Sequence, residues 1–285
     1  MSSAGERVSV VVPSFEHAAH LEHALRSVAE QDGVSLELVV VDDASRDDSV
    51  ARVARLFDDP GFADCFEGRL RLIVHESNLG AHAAINRGLR ETTGDWVTVL
   101  NSDDSFVPGR LRALRDALRD RRAGLAFSRV DYVDERAGAS ACARESFRLR
   151  RHQDGVERFP SIGFACMAGN VAITSGNLFM TRALCEAIGE FAALRYCHDW
   201  DYLLRAVTLS EPVFVRCPLY RYRIHGANSY RALEGVAEAE TEVVLRRFFG
   251  CVRGGRATNP LAPGPDRWPG VFEYWMGRQG FWRYW

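Results

Sequence analysis

The fold is decided by the stretch VSVVVPS at residues 8–14, a β-branched run that ends at a proline and a serine. Such runs favour β-strands. Leu21, Leu25 and Val28 follow at helical spacing, with their apolar side chains on one face. The stretch and its continuation therefore predict a strand, a loop and an amphipathic helix.

The same order repeats over the residues that follow. LELVVV at 36–41 reads as a second buried strand, and Ser45–Asp48 supply capping chemistry for a helix through Phe57. Leu70–Val74 and Trp96–Leu100 predict two more strands, separated by a helix over Ala81–Arg90. Strands that alternate with helices form βαβ units in a mostly parallel sheet covered by helices. We therefore predict an α/β fold with a Rossmann-like sheet.

The pattern becomes less regular after Pro108. The elements predicted there are a helix over Arg110–Arg121, a strand over Leu125–Val133, a loop or insertion over Gly138–Arg158, a strand over Val171–Thr181, a helix over Asp199–Leu209, a strand over Val213–Cys217 and a helix over Leu233–Phe249. A long insertion of this kind often covers a site.

The composition is that of a soluble globular protein, since 47% of the 285 residues are hydrophobic and 26% are charged. The net charge of -2 gives no basic field, so nucleic acid is not expected as a partner. All 36 basic side chains are arginine, because the sequence contains no lysine. This excludes any mechanism that needs a catalytic lysine.

The cysteines and the apolar runs bear on the cellular compartment. The seven cysteines form no C-x-x-C pair, and we expect reduced thiols. The first residues lack the pattern of a secretory signal, and no apolar run approaches a membrane span. We therefore expect a cytoplasmic protein whose contact with a membrane is at most peripheral.

Polar clusters follow three of the predicted strands. They are Ser14 with Glu16, Asp42 with Asp43, and the run Asn101–Asp104. Ligands of parallel sheets bind beyond the carboxyl ends of the strands. A carboxylate such as Asp103 suits Mg²⁺ or Mn²⁺, although a turn with helix-capping acids has the same sequence pattern.

Four motifs together resemble the nucleotide-binding half of family 2 glycosyltransferases. They are VSVVVPSF at 8–15, VVVDDAS at 39–45, NLG at 78–80 with NRG at 86–88, and GDW at 94–96 leading to LNSDD at 100–104. The resemblance covers roughly the first 110 residues. It implies a GT-A fold that binds a nucleoside-diphosphate sugar.

The resemblance also implies roles for single residues. The base and ribose would be held near Pro13, Ser14, Glu16, Asp42 and Asp43, the nucleotide would lie near Asn78, Gly80 and Asn86, and Asn101, Ser102 and Asp103 would occupy the metal-binding D-x-D place. The first acid of that motif is an asparagine here, which removes one negative charge and weakens the expected metal affinity. Asp103 keeps the place of the direct metal ligand.

The second half carries two further matches. HDWDYLLR at 198–205 resembles the segment in which the family places its general base, which would be Asp199. An inverting transfer needs such a carboxylate to take the proton of the acceptor hydroxyl. The alternative is that Asp199 and Asp201 are acids that stabilise a helix N-terminus.

YRIHGANS at 222–229 resembles the late segment where relatives carry a histidine near the metal or diphosphate, here His225. Gly176 and Asn177 are further candidates for the pocket lining. The remaining histidines show no shared metal-site spacing and receive no predicted role; they are His17, His20, His23, His75, His82 and His152.

We predict three regions: a nucleotide-sugar-binding half at 1–107, an acceptor-binding and catalytic half of the same domain at 108–232, and a C-terminal helix with an aromatic tail at 233–285. The tail is expected to pack on its own domain; a peripheral membrane contact and a subunit contact are the alternatives. By family analogy the acceptor is a glycan or lipid-linked glycan of a bacterial surface polysaccharide.

Three other functions were weighed. A phospho-receiver domain would share only Asp42 and Asp43 and would need a lysine. A nucleotidyltransferase would need a Gly-rich, basic phosphate signature near the N-terminus. A GT-A-like nucleotide- or glycan-binding module without turnover is the alternative that Asn101 leaves open, but Asp103, Asp199 and His225 together argue against it. We predict an inverting enzyme that transfers a sugar from a UDP- or dTDP-sugar to a hydroxyl acceptor.

Overall fold

The computed structural model describes residues 6–134, 150–225 and 234–285, with one mixed sheet at its centre. The strands are β1 (Arg7–Ser14), β2 (Ser35–Asp42), β3 (Leu70–Val74), β4 (Trp96–Val99), β5 (Ser105–Phe106), β6 (Leu125–Asp134), β7 (Phe179–Thr181) and β8 (Val213–Ile224). Their order across the sheet is β3-β2-β1-β4-β7-β6-β8-β5. β3, β2, β1 and β4 are parallel, as are β6 and β8, whereas β7 and β5 run antiparallel to their neighbours.

Helices cover both faces of this sheet. They are α1 (Ala18–Ala29), α2 (Ser49–Phe57), α3 (Pro60–Ala63), α4 (Ala81–Glu91), α5 (Arg110–Arg121), α6 (Ile162–Ala168), α7 (Arg182–Ile188), α8 (His198–Leu209), α9 (Glu234–Arg253) and α10 (Val271–Gln279).

Each central strand is buried on both faces. Val10 and Val12 pack in the core formed with α1 and α5, whereas Val11 faces α4. A Cβ on Gly88 of α4 would lie 2.3 Å from Cγ1 of Val11, so this helix approaches β1 as closely as a glycine allows. Burial on both faces explains why these strands appear in the sequence as continuous apolar runs rather than as alternating ones.

The first half follows the sequence prediction, with one local correction at α2. The helix begins at Ser49, and Asp48 makes no side-chain capping bond. The backbone N–H of Ser49 donates instead to the carboxylate of Asp47 at 3.0 Å, and Ser45 donates to Asp42. The polar residues before α2 therefore hold the loop as much as they cap the helix.

The second half departs further from the prediction. Only Phe179–Thr181 of the predicted strand Val171–Thr181 is a strand, because a turn and a 3-10 helix at Ser175–Asn177 precede it. β5 was not predicted, β8 continues to Ile224, and α9 ends at Arg253 rather than at Phe249. The predicted insertion lies outside the described residues over 138–149, as does Leu233.

The aromatic tail packs on its own domain. Phe272, Trp275 and Tyr284 are buried in the core that contains Phe249 of α9. Tyr274 and Trp282 remain exposed. In the described part of the chain, no helix has the length and apolarity that a membrane crossing needs. The six cysteines located there are free thiols, and Cys142 lies outside it.

Candidate active site

The three predicted polar clusters lie at one edge of the sheet. β1 is flanked by β2 and β4 in parallel, and Ser14 at its end is paired with Asp42. Leu100, next to Asn101, donates its N–H to the carbonyl oxygen of Val11 at 2.9 Å. The topology thus places the carboxyl ends of β1, β2 and β4 beside one another, as expected of a ligand site on parallel strands.

Asp43 holds the loop that carries Asn78 and Gly80. Its buried carboxylate accepts the N–H groups of Leu79 at 3.0 Å and Gly80 at 2.7 Å, and it lies 2.7 Å from Nδ1 of His75. Gly80 has a φ of 93°, a conformation that favours glycine. Asn78 is exposed on this loop. Two of the predicted nucleotide residues, Asp43 and Gly80, therefore belong to one hydrogen-bonded unit, and the third, Asn78, lies on the same loop.

Asp42 connects the loop after β2 to the turn after β1. Its carboxylate accepts the Ser45 hydroxyl at 2.7 Å, and the same hydroxyl oxygen accepts the N–H of Glu16 at 2.9 Å. Oε1 of Glu16 accepts the N–H of Arg46 at 3.1 Å. Glu16 is left-handed, with a φ of 57°, and Pro13 lies in β1 just before this turn. The two loops form one framework.

This turn aims His17 at the loop after β4. Nδ1 of His17 lies 2.8 Å from the hydroxyl of Ser102. On the other side, the N–H of Ala18 donates to the Asp47 carboxylate at 3.0 Å. No sequence motif predicted a role for His17, because the residues that it joins are far apart along the chain.

His17, Asp103 and His225 form a cluster that could hold a metal ion. Each contributes one potential ligand atom, and these atoms all lie within 4.8 Å of one another. Nε2 of His225 lies 3.0 Å from Oδ2 of Asp103. Two imidazole nitrogens and one carboxylate oxygen are a chemically suitable set for a divalent cation. The structure thus brings together Asp103 and His225, the two predicted metal ligands, and adds His17.

The Asp103 carboxyl is only 13% exposed. Burial alone raises its pKa, but the hydrogen bond from His225 and the charges of His17 and His225 leave the pKa below its usual value. The hydrogen bond and these charges thus favour the ionised form of the carboxyl, which is the form that binds a metal.

Asn101 points away from this cluster. Its Nδ2 donates to Oγ1 of Thr174 at 2.6 Å and to the Asp104 carboxylate at 3.2 Å, and its Oδ1 accepts the Ser175 hydroxyl at 3.1 Å. These bonds use both ends of the amide, so Asn101 supports the loop rather than completing the metal site.

Asp104 is buried on the far side of the same loop. Its carboxylate accepts the Tyr220 hydroxyl at 2.7 Å and the N–H of Arg223 at 2.8 Å. Burial raises the pKa of Asp104 well above its usual value, and the neighbouring Asp103 charge raises it further. Asp104 therefore holds the loop after β4 against β8, and its carboxylate is used inside the fold.

Asp199 lies in the first turn of α8. Its carboxylate accepts Nδ2 of Asn170 at 2.8 Å and the N–H of Trp200 at 2.7 Å. Burial raises the pKa of Asp199, and the charge of His198 and these hydrogen bonds only partly oppose it. A raised pKa makes the carboxylate a stronger base.

Several buried polar atoms at these loops lack a hydrogen-bond partner among the described residues. They include Oγ of Ser14, Oδ1 of Asn170 and Nδ1 of His198. Buried polar atoms are rarely left unpaired, and a ligand is one usual explanation. The first atom belongs to the nucleotide side of the predicted site and the other two flank Asp199.

The segment 170–177 links the two halves of the site. Asn170 binds Asp199, and Thr174 and Ser175 bind Asn101. Within it Ile173 has a φ of 76°, which is a strained conformation for a β-branched residue. Asn177 is fully buried with its amide on backbone carbonyls, so it supports the pocket instead of lining it.

Asn86 has a comparable supporting position. Its Oδ1 accepts the N–H of Phe191 at 2.7 Å, and its Nδ2 donates to the carbonyl oxygen of the same residue at 2.9 Å. The amide ties α4 to the loop before α8. Its hydrogen-bonding groups are thus used inside the fold, which corrects the expectation of a direct contact with the nucleotide.

A family model described as glycosyl transferase family 2 matches residues 9–175, more than half of the chain. The chain belongs to this family. The matched segment contains every first-half site residue that the sequence motifs predicted, whereas Asp199 and His225 lie beyond it. The family resemblance read from the motifs is therefore confirmed.

Two curated relatives are each longer than this chain. An uncharacterized protein of Mycobacterium tuberculosis is 36% identical over 214 residues, which are 73% of this chain and 64% of that protein. The GalNAc(5)-diNAcBac-PP-undecaprenol beta-1,3-glucosyltransferase of Campylobacter jejuni is 33% identical over 109 residues, 38% of this chain and 33% of that enzyme. The chain thus spans less than two thirds of these relatives.

Two solved structures share the fold. TarS of S. aureus in complex with UDP-GlcNAc has a TM-score of 0.64 at 18% identity, covering 85% of this chain and 65% of that one. The mannosyltransferase PcManGT of Pyrobaculum calidifontis, in complex with GDP-Man and Mn²⁺, has a TM-score of 0.64 at 19% identity, covering 97% and 72%. The predicted GT-A fold of this family 2 chain is confirmed.

Proposed function

We propose that this chain is a metal-dependent glycosyltransferase that moves a sugar, with inversion, from a nucleoside-diphosphate sugar to a hydroxyl acceptor. The observation that carries the proposal is the pairing of two different carboxylates. Asp103 forms a cluster with His17 and His225 in which the potential ligand atoms lie within 4.8 Å of one another, whereas Asp199 lies in the first turn of α8 and accepts a hydrogen bond from Asn170. The segment 170–177 connects the surroundings of the two carboxylates, because its Asn170 binds Asp199 and its Thr174 and Ser175 bind Asn101 in the loop of Asp103.

The donor would occupy the framework at the ends of β1, β2 and β4. The loops held by Asp42 and Asp43 would bind the base and ribose, and the unpaired hydroxyl of Ser14 is available there. Asp103 and His225 would hold a Mn²⁺ or Mg²⁺ ion, which when bound neutralises charge on the diphosphate leaving group. Ser102 would act by holding the loop against His17.

The acceptor would meet Asp199. An inverting displacement requires the acceptor hydroxyl to attack the anomeric carbon opposite the leaving diphosphate, while a base takes its proton. Asn170 orients the Asp199 carboxylate through a 2.8 Å hydrogen bond. The transition state gains oxocarbenium character, as in glycoside hydrolysis. This arrangement supports the proposed division into a donor half at 1–107, an acceptor half at 108–232 and a tail at 233–285.

The substrates are proposed at the level of class. A UDP- or dTDP-sugar is the favoured donor, and the name of the Campylobacter jejuni enzyme describes an undecaprenol-linked acceptor. We propose a glycan or lipid-linked glycan acceptor at the cytoplasmic side of a bacterial membrane. TarS is complexed with UDP-GlcNAc and PcManGT with GDP-Man, so the shared fold leaves the nucleotide open.

Calorimetric titration tests the donor site. UDP, dTDP and GDP are titrated with and without Mn²⁺ into wild type, Asp103→Ala and the exposed-acid control Asp58→Asn. We expect one nucleotide to bind with the metal, and this binding to be lost only in Asp103→Ala. Failure of every nucleotide to bind would overturn the proposal.

Turnover is tested separately with Asp199→Asn. We expect this variant to bind the nucleotide like wild type. It should lose sugar transfer or, where donor hydrolysis is measured instead, the slow hydrolysis of the donor. Nucleotide binding by wild type without release of the sugar, across a panel of UDP- and dTDP-sugars, would instead indicate a binding module.

A further inference from the structure

We propose that His17 is a third protein ligand of the metal and that the resulting set of two imidazoles and one carboxylate selects Mn²⁺ over Mg²⁺. This inference rests on the proposed metal site. It adds a ligand from the turn after β1, which none of the sequence motifs marks.

The three candidate ligands reach the same point from three separate loops. His17 follows β1, Asp103 follows β4, and His225 follows β8. Their ligand atoms lie within 4.8 Å of one another, and the rings of His17 and His225 are inclined at 84° with centroids 5.9 Å apart. The rings therefore do not stack on each other, and each offers one potential ligand nitrogen beside the Asp103 carboxylate.

The backbone around His17 is held on both sides by side chains of the loop after β2. Glu16 adopts a left-handed conformation that is unfavourable for a residue with a side chain, and such strain is typical of functional sites. The N–H groups on either side of His17, those of Glu16 and Ala18, donate to Ser45 and Asp47. The imidazole is thus directed into the site by contacts on both flanks.

Ser102 supplies the partner that a histidine ligand needs. Metal-bound histidines usually donate their second ring N–H to a neighbouring oxygen, which fixes the tautomer. The Ser102 hydroxyl lies 2.8 Å from Nδ1 of His17. When Nδ1–H donates to it, the lone pair is on Nε2, which is then the coordinating atom. Ser102 precedes Asp103 directly, so one loop supplies a ligand and orients another.

The donor set determines which cation fits. Asn101 directs its amide to Thr174 and Asp104, so the motif contributes one carboxylate instead of two. Mg²⁺ prefers oxygen ligands, whereas imidazole binds later first-row ions better. Replacing a carboxylate by His17 therefore favours Mn²⁺. We expect the affinity for Mn²⁺ to exceed that for Mg²⁺ at least about tenfold, which is the scale on which the surroundings of a metal change its affinity.

The test uses the metals alone. Metal-free wild type, His17→Gln, Asp103→Asn and the control His23→Gln, an exposed histidine in the adjoining helix α1, are titrated with MnCl₂ and MgCl₂ by calorimetry and by the free-Mn²⁺ spin-resonance signal. We expect His17→Gln to weaken Mn²⁺ binding at least about tenfold, with a smaller change for Mg²⁺. His17→Asp should lower the Mn²⁺/Mg²⁺ affinity ratio, and His23→Gln should match wild type.

A second measurement needs no substitution. Spin-echo modulation of Mn²⁺ bound to wild type should show the nitrogens of two histidines. A single histidine, or Mn²⁺ affinity unchanged in His17→Gln while Asp103→Asn loses it, would overturn the role of His17 and leave the proposed function standing. Absence of Mn²⁺ binding to wild type, with or without nucleotide, would overturn both.

Discussion

Tyr220 donates its hydroxyl to the buried carboxylate of Asp104 at 2.7 Å, and the same hydroxyl lies where a side chain on Gly176 would have to be. This contact joins β8, the loop after β4 and the segment 170–177. The position of Asp103, next to Asp104, therefore depends on a residue that has no side chain.

Gly176→Ala should destabilise the protein. The added Cβ would lie 2.0 Å from the Tyr220 hydroxyl oxygen, and overpacking of this kind costs about 1–3 kcal/mol. Urea unfolding measures the change in the free energy of unfolding. Gly250→Ala is the matched control, because a Cβ there meets no atom within 4 Å in helix α9.

Adding Tyr220→Phe to Gly176→Ala should recover part of the lost stability, because it removes the atom that clashes. If Gly176→Ala is as stable as wild type, the close packing described for this contact is wrong.

Asn101→Asp should lower stability although it restores the D-x-D motif of the family. It removes the N–H donors to Thr174 and Asp104 and places a further carboxylate beside Asp103 and Asp104. Unsatisfied buried groups cost about 1–3 kcal/mol each. Thermal unfolding at several pH values checks this, and the loss should shrink as the added carboxyl is protonated. Equal or higher stability at pH 7 would contradict it.

The activity should depend on pH through Asp199. A general base acts when it is ionised, so the rate should fall as the pH drops through the pKa of Asp199. Burial raises this pKa, and the acid limb of kcat/KM should therefore lie above the usual range of an aspartate. Asn170→Ala removes a hydrogen bond that favours the ionised form and should move the limb to higher pH. An acid limb at the ordinary aspartate pKa would exclude this assignment.

Asp199→Asn should gain stability at neutral pH while losing activity. The folded-state pKa exceeds the unfolded one, so the folded protein binds the proton more tightly and stability falls as the pH rises through that interval. Removing the ionisable group removes this cost. The melting temperature of the variant should therefore exceed that of wild type at pH 7 and approach it near pH 4. A lower melting temperature at pH 7 would contradict the prediction.

Glu240→Gln should disturb Asp199 from a distance. The Glu240 carboxylate accepts the N–H groups of Arg195, Tyr196 and Cys197 just before α8. Burial raises its pKa, but these three bonds outweigh it and leave the pKa below its usual value. Its contribution to stability is thus present above the unfolded pKa and is lost as the pH falls through the folded one.

We expect Glu240→Gln to cost about 1–3 kcal/mol in urea unfolding at pH 7 and to reduce kcat. The exposed Glu238→Gln on the same helix serves as the control. A full kcat with reduced stability would show that Glu240 holds α8 without positioning Asp199.

The sequence predicted the first half well, because both-sided burial leaves a strong signal. Most side chains on both faces are apolar in the runs Val8–Val12 and Leu36–Val41. Where predicted helices alternate with such runs, the runs are recognised as strands. The motifs also predicted that Asp103 and His225 lie near the same metal ion, and Nε2 of His225 lies 3.0 Å from Oδ2 of Asp103.

What the sequence could not predict depends on contacts between distant segments. His17 lies near Asp103 only because β1 and β4 are neighbours, and no spacing encodes that pairing. The segment 170–177 looks like a strand by composition, but its polar side chains bind Asn101 and Asp199 and bend it into a turn. Asn86 matched a motif, yet its amide is used by Phe191.

The loop at 42–48 has a thermodynamic consequence. It carries Asp42, beside which the base and ribose are proposed to bind, and it also supplies both contacts that hold the backbone on either side of His17. A nucleotide that orders this loop lowers the entropy cost of placing the third metal ligand. Linkage is reciprocal, so the cation must raise the affinity of the nucleotide by the same factor as the nucleotide raises that of the cation.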